Sequence, residues 1–159
     1  MTDRQTTHFL TLFSESRTRF SNQLETLSSD DLLKKIAPAS NSVGFLIRHI
    51  GDVELLFAKN VFGNSDIRVK AKTVMDKRDT GEWNDLLELI DYVNFSATQL
   101  TETIQRMTDL DWEKEITTAE FGTKTNAQAF GRIVSHTAYH AGQMALILKY
   151  GSSLNTREL

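Results

Sequence analysis

Residues 125–151 read TNAQAFGRIVSHTAYHAGQMALILKYG, and this stretch decides the fold. Its apolar residues recur every three or four positions, which predicts one long amphipathic helix. Thr125 begins a capping-box pattern, and Gly151 is suited to end the helix. Because residues four apart lie on one helical face, His136 and His140 point the same way. Two imidazoles at this spacing can bind one metal ion.

A third histidine lies in residues 41–62, which read NSVGFLIRHIGDVELLFAKNVF. On a helical wheel His49 falls inside the apolar stripe, where an imidazole without a partner costs free energy. One interpretation is an ordinary core histidine with a hydrogen-bond partner. The other is a metal site, in which three imidazoles from two helices leave coordination positions open, as catalytic sites do.

Acidic residues near these histidines are ambiguous. Asp52 follows His49 by three residues, so it could be a ligand or accept a hydrogen bond from an imidazole N–H. A solvated helix residue is the favoured interpretation. Glu54 is expected to face away from the same ion. The remaining histidine, His8, is expected on the surface. Three glutamates further along the chain could approach the site, although their spacing does not require it: Glu113, Glu115 and Glu120.

Composition limits the classes of function. The chain has 159 residues, which is typical of one domain, and a formal net charge of −3, which argues against nucleic acid as a partner. It contains no cysteine, so a thiolate would have to come from another molecule. No apolar run is long enough for a membrane span, and the N-terminus lacks the pattern of a secretory signal. We therefore expect a cytoplasmic protein with no membrane partner.

The chain predicts an all-α protein, a four-helix bundle with a long crossover between helices 2 and 3. The four long helices are expected at residues 6–27, 41–62, 81–107 and 125–151. A short helix should follow Ser28, residues 64–80 should form a solvated crossover loop, with a short helical turn as an alternative for part of it, and residues 108–125 should form a connection. No stretch alternates with period two, so no substantial sheet is expected. The domain is predicted to span residues 1–151, with residues 152–159 as a polar tail.

Several local expectations accompany this arrangement. Asp79 with Glu82 resembles a capping box that would start the third long helix. Leu33 and Leu87 are expected to face the core, whereas Arg17 is expected to lie off the apolar stripe of the first helix.

Two segments, NSVGFLIRHIGDVE and AFGRIVSHTAYHAGQ, resemble the DinB-like family of metal-binding four-helix proteins. The usual pattern is a histidine in the second helix and H-x-x-x-H-x-G-Q in the fourth. Here these positions are His49, His136 and His140, with Gly142 and Gln143 completing the motif. The similarity extends over nearly the whole chain in the number, order and motif positions of the helices.

The resemblance implies that His49, His136 and His140 bind one divalent metal ion, zinc or nickel, and that Gln143 orients a ligand or closes the helix packing. It also implies a small-molecule substrate. Family members include thiol-dependent S-transferases and isomerases that use a low-molecular-weight thiol, and others assigned as metal-dependent hydrolases. The alternative is a non-catalytic, metal-stabilised bundle that acts as a binding or stress-response module. Whether the chain forms a homodimer is left open.

Overall fold

The computed structural model describes residues 3–153 and is mostly helical. Its described elements are, in order, α1 Arg4–Leu24, α2 Val43–Leu56, α3 Lys72–Asp76, α4 Leu86–Gln105, α5 Asp109–Glu113, β1 Glu115–Thr118, β2 Gly122–Thr125 and α6 Asn126–Tyr150. A 3₁₀ turn at Ser29–Leu33 follows α1, and a π-helical turn at Phe57–Val61 extends α2. The helical class expected from the sequence is confirmed. Two short helices and a hairpin add to the four long helices.

The four long helices pack around a shared apolar core. Both α4 and α6 contact α1, and both contact α2. The core forms two adjoining clusters, one around Phe20, Leu46 and Met144 and the other around Leu55, Leu100 and Ile133. Burial of one such side chain contributes about 1.5–3 kcal/mol to stability, so helix packing is the main source of folding free energy. Within residues 3–153, no helix combines the length and apolar character needed to cross a membrane.

Both helices that carry the three histidines begin as the sequence predicts. Thr125 Oγ1 accepts a hydrogen bond from Gln128 N at 3.2 Å, and Gln128 Oε1 accepts one from Thr125 N at 3.0 Å. This reciprocal pair satisfies backbone donors at the start of α6. At the start of α2, Ser42 Oγ accepts from Phe45 N at 3.2 Å.

The predicted start of the third long helix near Gly81 is wrong. Helix α4 begins at Leu86, where Asp85 is the N-cap. Asp79 caps a different element: its Oδ2 accepts hydrogen bonds from Ser42 N at 2.8 Å and from Ser42 Oγ at 2.6 Å. A capping carboxylate can serve any nearby helix start, and local spacing does not show which one.

The crossover is more ordered than the predicted solvated loop. It contains α3, which packs against α2, and it buries the side chains of Ile67, Ala71 and Thr73. This placement brings the crossover to one side of His49.

The connection before α6 also has structure of its own. Strands β1 and β2 pair antiparallel into one small hairpin, which the sequence analysis did not predict but which is consistent with the expectation of no substantial sheet. Gly122 has φ +70°, a conformation that favours glycine and lets β2 begin directly after the turn. Before the hairpin, Trp112 is fully buried and its Nε1 donates to Thr6 Oγ1 at 2.8 Å. The hairpin tip lies close to the π-helical turn after α2 and to α6: the rings of Phe121 and Phe57 have centroids 6.2 Å apart, and Arg132 Nη2 donates to Glu120 Oε1 at 3.3 Å.

Two predicted core leucines are on the surface. Leu33 is 47% exposed and Leu87 is 76% exposed, whereas Leu32 and Leu89 are buried beside them. Leu33 ends the 3₁₀ turn and Leu87 lies in the first turn of α4, and at both positions the side chain faces away from the core.

Arg17, expected off the apolar stripe, is buried. Its Nε donates to Glu54 Oε1 at 2.8 Å, and its Nη2 donates to the Val93 carbonyl at 2.7 Å. Ser96 Oγ donates to Glu54 Oε2 at 2.5 Å. The network joins α1, α2 and α4 inside the core. It also explains why Glu54 faces away from His49, as expected.

Only the first residues of the predicted polar tail are described. Ser152 and Lys35 exchange two backbone hydrogen bonds, each 3.0 Å long, and this anchors the chain just after α6. Residues 154–159 lie outside the described range, and the domain limits 1–151 and 152–159 stay a prediction.

Two glycines in helices should respond to alanine in opposite directions. A Cβ added at Gly44 would lie 1.9 Å from the Trp83 carbonyl oxygen, whereas one at Gly131 would meet no heavy atom within 4 Å. We expect Gly44→Ala to lower the unfolding free energy by about 1–3 kcal/mol, because backbone has to move. Gly131→Ala should raise it by about 0.5–1 kcal/mol. Urea denaturation of both variants measures the contrast, and equal effects would contradict it.

Candidate metal centre

The structure brings together the three histidines that the sequence singled out. His49 comes from α2, and His136 and His140 come from successive turns of α6. One nitrogen from each ring can be chosen so that all three lie within 4.8 Å of one another. His49 Nε2 and His136 Nε2 are 3.1 Å apart. Two nitrogens about 2.0–2.1 Å from one ion can have this separation, so the group could hold a metal ion.

All three imidazoles are held in the neutral form that metal binding requires. Burial lowers the pKa of His49 to about 4, and the neighbouring His140 adds to the shift. Burial lowers the pKa of His136 to about 3, with further contributions from His140 and His49. Burial also lowers the pKa of His140, although a hydrogen bond to Gln143 opposes this. Near neutral pH the ring lone pairs are therefore available.

A hydrogen-bond relay fixes the orientation of His49. Thr73 Oγ1 donates to Asp52 Oδ2 at 2.8 Å, so its single proton is used there. The same oxygen lies 3.1 Å from His49 Nδ1 and must accept the proton of that ring nitrogen. His49 Nε2 is thereby left unprotonated and directed towards the other two rings. Metal-binding histidines are commonly oriented by such a hydrogen bond from the other ring nitrogen.

Asp52 is a buried acceptor, and its favoured interpretation as a solvated residue is wrong. Its Oδ1 accepts from Arg48 Nε at 2.9 Å and from Tyr92 Oη at 2.6 Å. Its Oδ2 accepts from Thr73 N at 3.1 Å as well as from the Thr73 hydroxyl. These four donors match the hydrogen-bonding capacity of an ionised carboxylate. Burial and the hydrogen bond to Asp52 raise the pKa of Tyr92, which keeps its phenol protonated.

The second oriented histidine is His140. Its Nδ1 donates to Gln143 Oε1 at 2.6 Å, and Gln143 Nε2 donates to Tyr139 Oη at 3.2 Å. His140 Nε2 is therefore also free to bind a ligand. Gln143 occupies the orienting position that the resemblance suggested for it.

His136 is the third histidine of the group, and its Nε2 lies 3.1 Å from His49 Nε2. Because His49 Nε2 carries a lone pair, His136 Nε2 either donates a proton to it or shares a cation with it. The Nδ1 atom of His136 is buried and has no hydrogen-bond partner among residues 3–153. A metal ion at His136 Nε2 would leave the proton on Nδ1, so within the described residues this ring has no orienting hydrogen bond like those that Thr73 and Gln143 give the other two. The donor set, three nitrogen atoms without thiolate or carboxylate, suits zinc, nickel and related ions.

Of the three glutamates that could approach the site, only one lies near it. Glu120 lies at the hairpin tip and lines a cavity beside His136, whereas Glu113 and Glu115 are exposed residues outside that cavity. His8 is exposed, as expected. Sequence reasoning missed Thr73, and nothing local could have found it, because it is one polar residue within a polar stretch. The only sequence signal for the relay was Asp52, three residues after His49.

The lowered histidine pKa values predict a pH dependence for the metal-free protein. Below pH 6.5 the unfolded chain binds protons at these histidines before the folded protein does. Stability should therefore be full above about pH 6.5 and fall progressively as the pH drops towards about 4. Urea denaturation of chelator-treated protein between pH 7.5 and 5 measures this trend. The slope should flatten in His136→Gln and stay unchanged in His8→Gln; identical slopes in all three proteins would refute the assignment.

These features define a class of protein: a mostly helical domain whose long helices present three converging histidines as a candidate metal site. The sequence model of the DinB superfamily matches residues 12–144, which include all three histidines. The chain therefore belongs to the DinB superfamily. No curated protein sequence matches it significantly.

Proposed function

We propose that this protein is a divalent-metal-dependent enzyme in which His49, His136 and His140 bind the ion. The observation that carries the proposal is the convergence of three neutral imidazole nitrogens within 4.8 Å. Two of the rings are oriented by Thr73 and Gln143, so their lone pairs are directed before a metal arrives. A cavity of about 360 Å³ beside His136 offers space for a small substrate.

The proposed reaction is transfer involving a low-molecular-weight thiol, with hydrolysis as the rival. A divalent ion held by three neutral imidazoles keeps its full charge and lowers the pKa of a bound thiol or water. The chain supplies no cysteine, so the thiol would be a co-substrate. We propose zinc or nickel as the metal, since three imidazoles accept both. The cytoplasmic location and a homodimer belong to the same set of proposals.

Cobalt substitution separates the two reactions. A thiolate bound to cobalt should add an intense sulfur-to-metal charge-transfer band, which water cannot produce. We expect this band when cellular thiols are titrated into the cobalt-loaded protein, and no band in His136→Ala. If no thiol gives the band while esters or amides are hydrolysed, the hydrolase is correct. If neither result is obtained, catalysis by this site is refuted.

The second candidate function is a non-catalytic bundle stabilised by metal. The three histidines come from two different helices, α2 and α6, so one ion bound to them would hold these helices together. This arrangement favours a stabilising role for the metal. In either case the core should keep the metal-free protein folded, because the apolar clusters extend through all four long helices. Circular dichroism after chelation should retain the helical signal and show a lower melting temperature. Loss of all helical signal at 25 °C would contradict this expectation.

Removing the Thr73 hydroxyl should weaken metal binding without unfolding the protein. In Thr73→Val, His49 Nδ1 loses its hydrogen-bond acceptor and the ring is free to turn. Changes to groups that orient a ligand typically lower metal affinity about 10–100-fold, and we expect a loss in this range. Thr73→Ser keeps the hydroxyl and is the matched control. A competition assay with a metal indicator measures both, and equal affinities for the two variants would show that the relay is not needed.

A further inference from the structure

The cavity beside His136 is lined by apolar residues on one side and by charged residues on the other. It lies between α2, α6 and the hairpin tip, and its volume is about 360 Å³. One side of its lining is apolar, with the half-buried Val53 of α2 and the buried Phe57 of the π-helical turn that follows it. Its exposed side carries Arg132 and Glu120. A ligand filling this cavity would place one end against His136 and another beside a guanidinium.

Arg132 is held by a partner that is easily replaced. Its Nη2 donates to Glu120 Oε1 at 3.3 Å, and the two side chains are 50% and 65% exposed. Exposed ion pairs contribute little to stability, so releasing Arg132 from Glu120 costs little free energy. A guanidinium, in contrast, has the planar fork of donors that matches a carboxylate.

Arg132 lies close to His136, one of the three histidines of the candidate metal centre. Arg132 lies four residues before His136 on α6, so both side chains lie on the same helical face. Arg132 and His136 also line the same cavity. An anionic group bound by Arg132 would therefore lie within electrostatic range of the candidate metal centre.

We infer that this cavity binds an organic carboxylate, whose apolar body packs on Val53 and Phe57 and whose carboxylate replaces Glu120 at Arg132. The Glu120 carboxylate shows the geometry, because it already occupies the position that the ligand anion would take. Because Arg132 offers one positive charge, we expect the ligand to carry one negative charge at this end. The inference names the substrate class of the proposed enzyme and rests on that function only for what happens at the His136 end.

Hexanoate and hexan-1-ol form a matched pair of probes, because they share the apolar body and differ in the charged group. Binding to the full-length protein is measured by NMR chemical-shift titration, before and after chelation. Arg132→Gln should weaken hexanoate binding about tenfold or more, the loss expected for one charge-assisted contact, and should leave hexan-1-ol unchanged. Glu120→Gln removes the competing carboxylate and should tighten hexanoate binding about threefold. Arg106→Gln, which changes the same charge outside this cavity, should have no effect.

Several results would overturn the inference. Hexanoate that does not bind the wild-type protein, binds Arg132→Gln equally well, or responds equally to Arg106→Gln would each do so. If hexanoate binds only to the metal-loaded protein and ignores Arg132, its carboxylate binds the metal, and the metal site stands while this inference falls. If metal analysis finds no ion at the histidines while the Arg132 effect persists after chelation, the proposed function falls and the carboxylate site stands.

Discussion

Replacing His136 by alanine is expected to abolish stoichiometric metal binding. The three ring centroids lie 5.0 Å (His49–His136), 4.9 Å (His49–His140) and 4.4 Å (His136–His140) apart, so His136 contacts both other rings. Loss of one nitrogen ligand of three should lower affinity at least about a hundredfold, since even changes to ligand-orienting groups reach that size. His49→Ala and His140→Ala should behave alike. Metal content after purification without a polyhistidine tag, together with competition titrations, measures the effect.

His8→Ala is the matched control for these variants. It also removes one imidazole, but from an exposed position at the other end of the chain, and it should keep full metal content. Circular dichroism should show that all four variants remain helical, because none of them removes a side chain of the two apolar clusters that join the long helices. Wild-type metal content in all three cluster variants would disprove the site.

The second large effect concerns stability. Arg17→Met should lower the unfolding free energy by about 3–5 kcal/mol, because it leaves the Glu54 carboxylate buried without its cation. Glu54 is fully buried and would keep only the hydrogen bond from Ser96. Urea denaturation at pH 7 measures the change. Metal affinity should be nearly unaffected, because Glu54 faces away from the histidines.

The double variant tests whether this loss comes from an unpaired charge. Arg17→Met combined with Glu54→Leu removes both ionic groups and replaces them with apolar side chains of similar size. Such replacements are often neutral or stabilising, so the double variant should recover most of the lost stability. If the two single effects add instead, the residues act independently and the buried ion pair is not the cause.

The long helices and the histidine cluster could be predicted because their signals are local. The repeat of apolar residues identifies a helix face without knowledge of its partner. Thr125 begins α6 as expected, and Ser42 caps α2. The spacing of His136 and His140 places both rings on one face, whatever the helix packs against. His49 was detected because it interrupts an apolar stripe.

Buried polar residues could not be predicted in the same way. Arg17 and Asp52 are charged residues of the kind usually found at solvent-facing helix positions. Only partners distant in the chain make their burial favourable. Glu54 lies 37 residues from Arg17, and Thr73 lies 21 residues from Asp52. The start of α4 was misplaced for a related reason, since Asp79 caps a helix that precedes it in sequence. Single-segment patterns do not contain such long-range pairings.

Because Thr73 attaches the crossover to His49, the attachment of the crossover and the metal affinity of the site should depend on each other. Helix α3 contacts α2, and its Thr73 contacts both Asp52 and His49. If metal loading slows amide hydrogen exchange in residues 72–76 by favouring the attached state, detachment of these residues must weaken metal binding by the same factor. A molecule that pulls the crossover away would therefore release the ion without touching a ligand. We therefore expect the metal affinity of the proposed site to depend on the position of the crossover as well as on the three histidines.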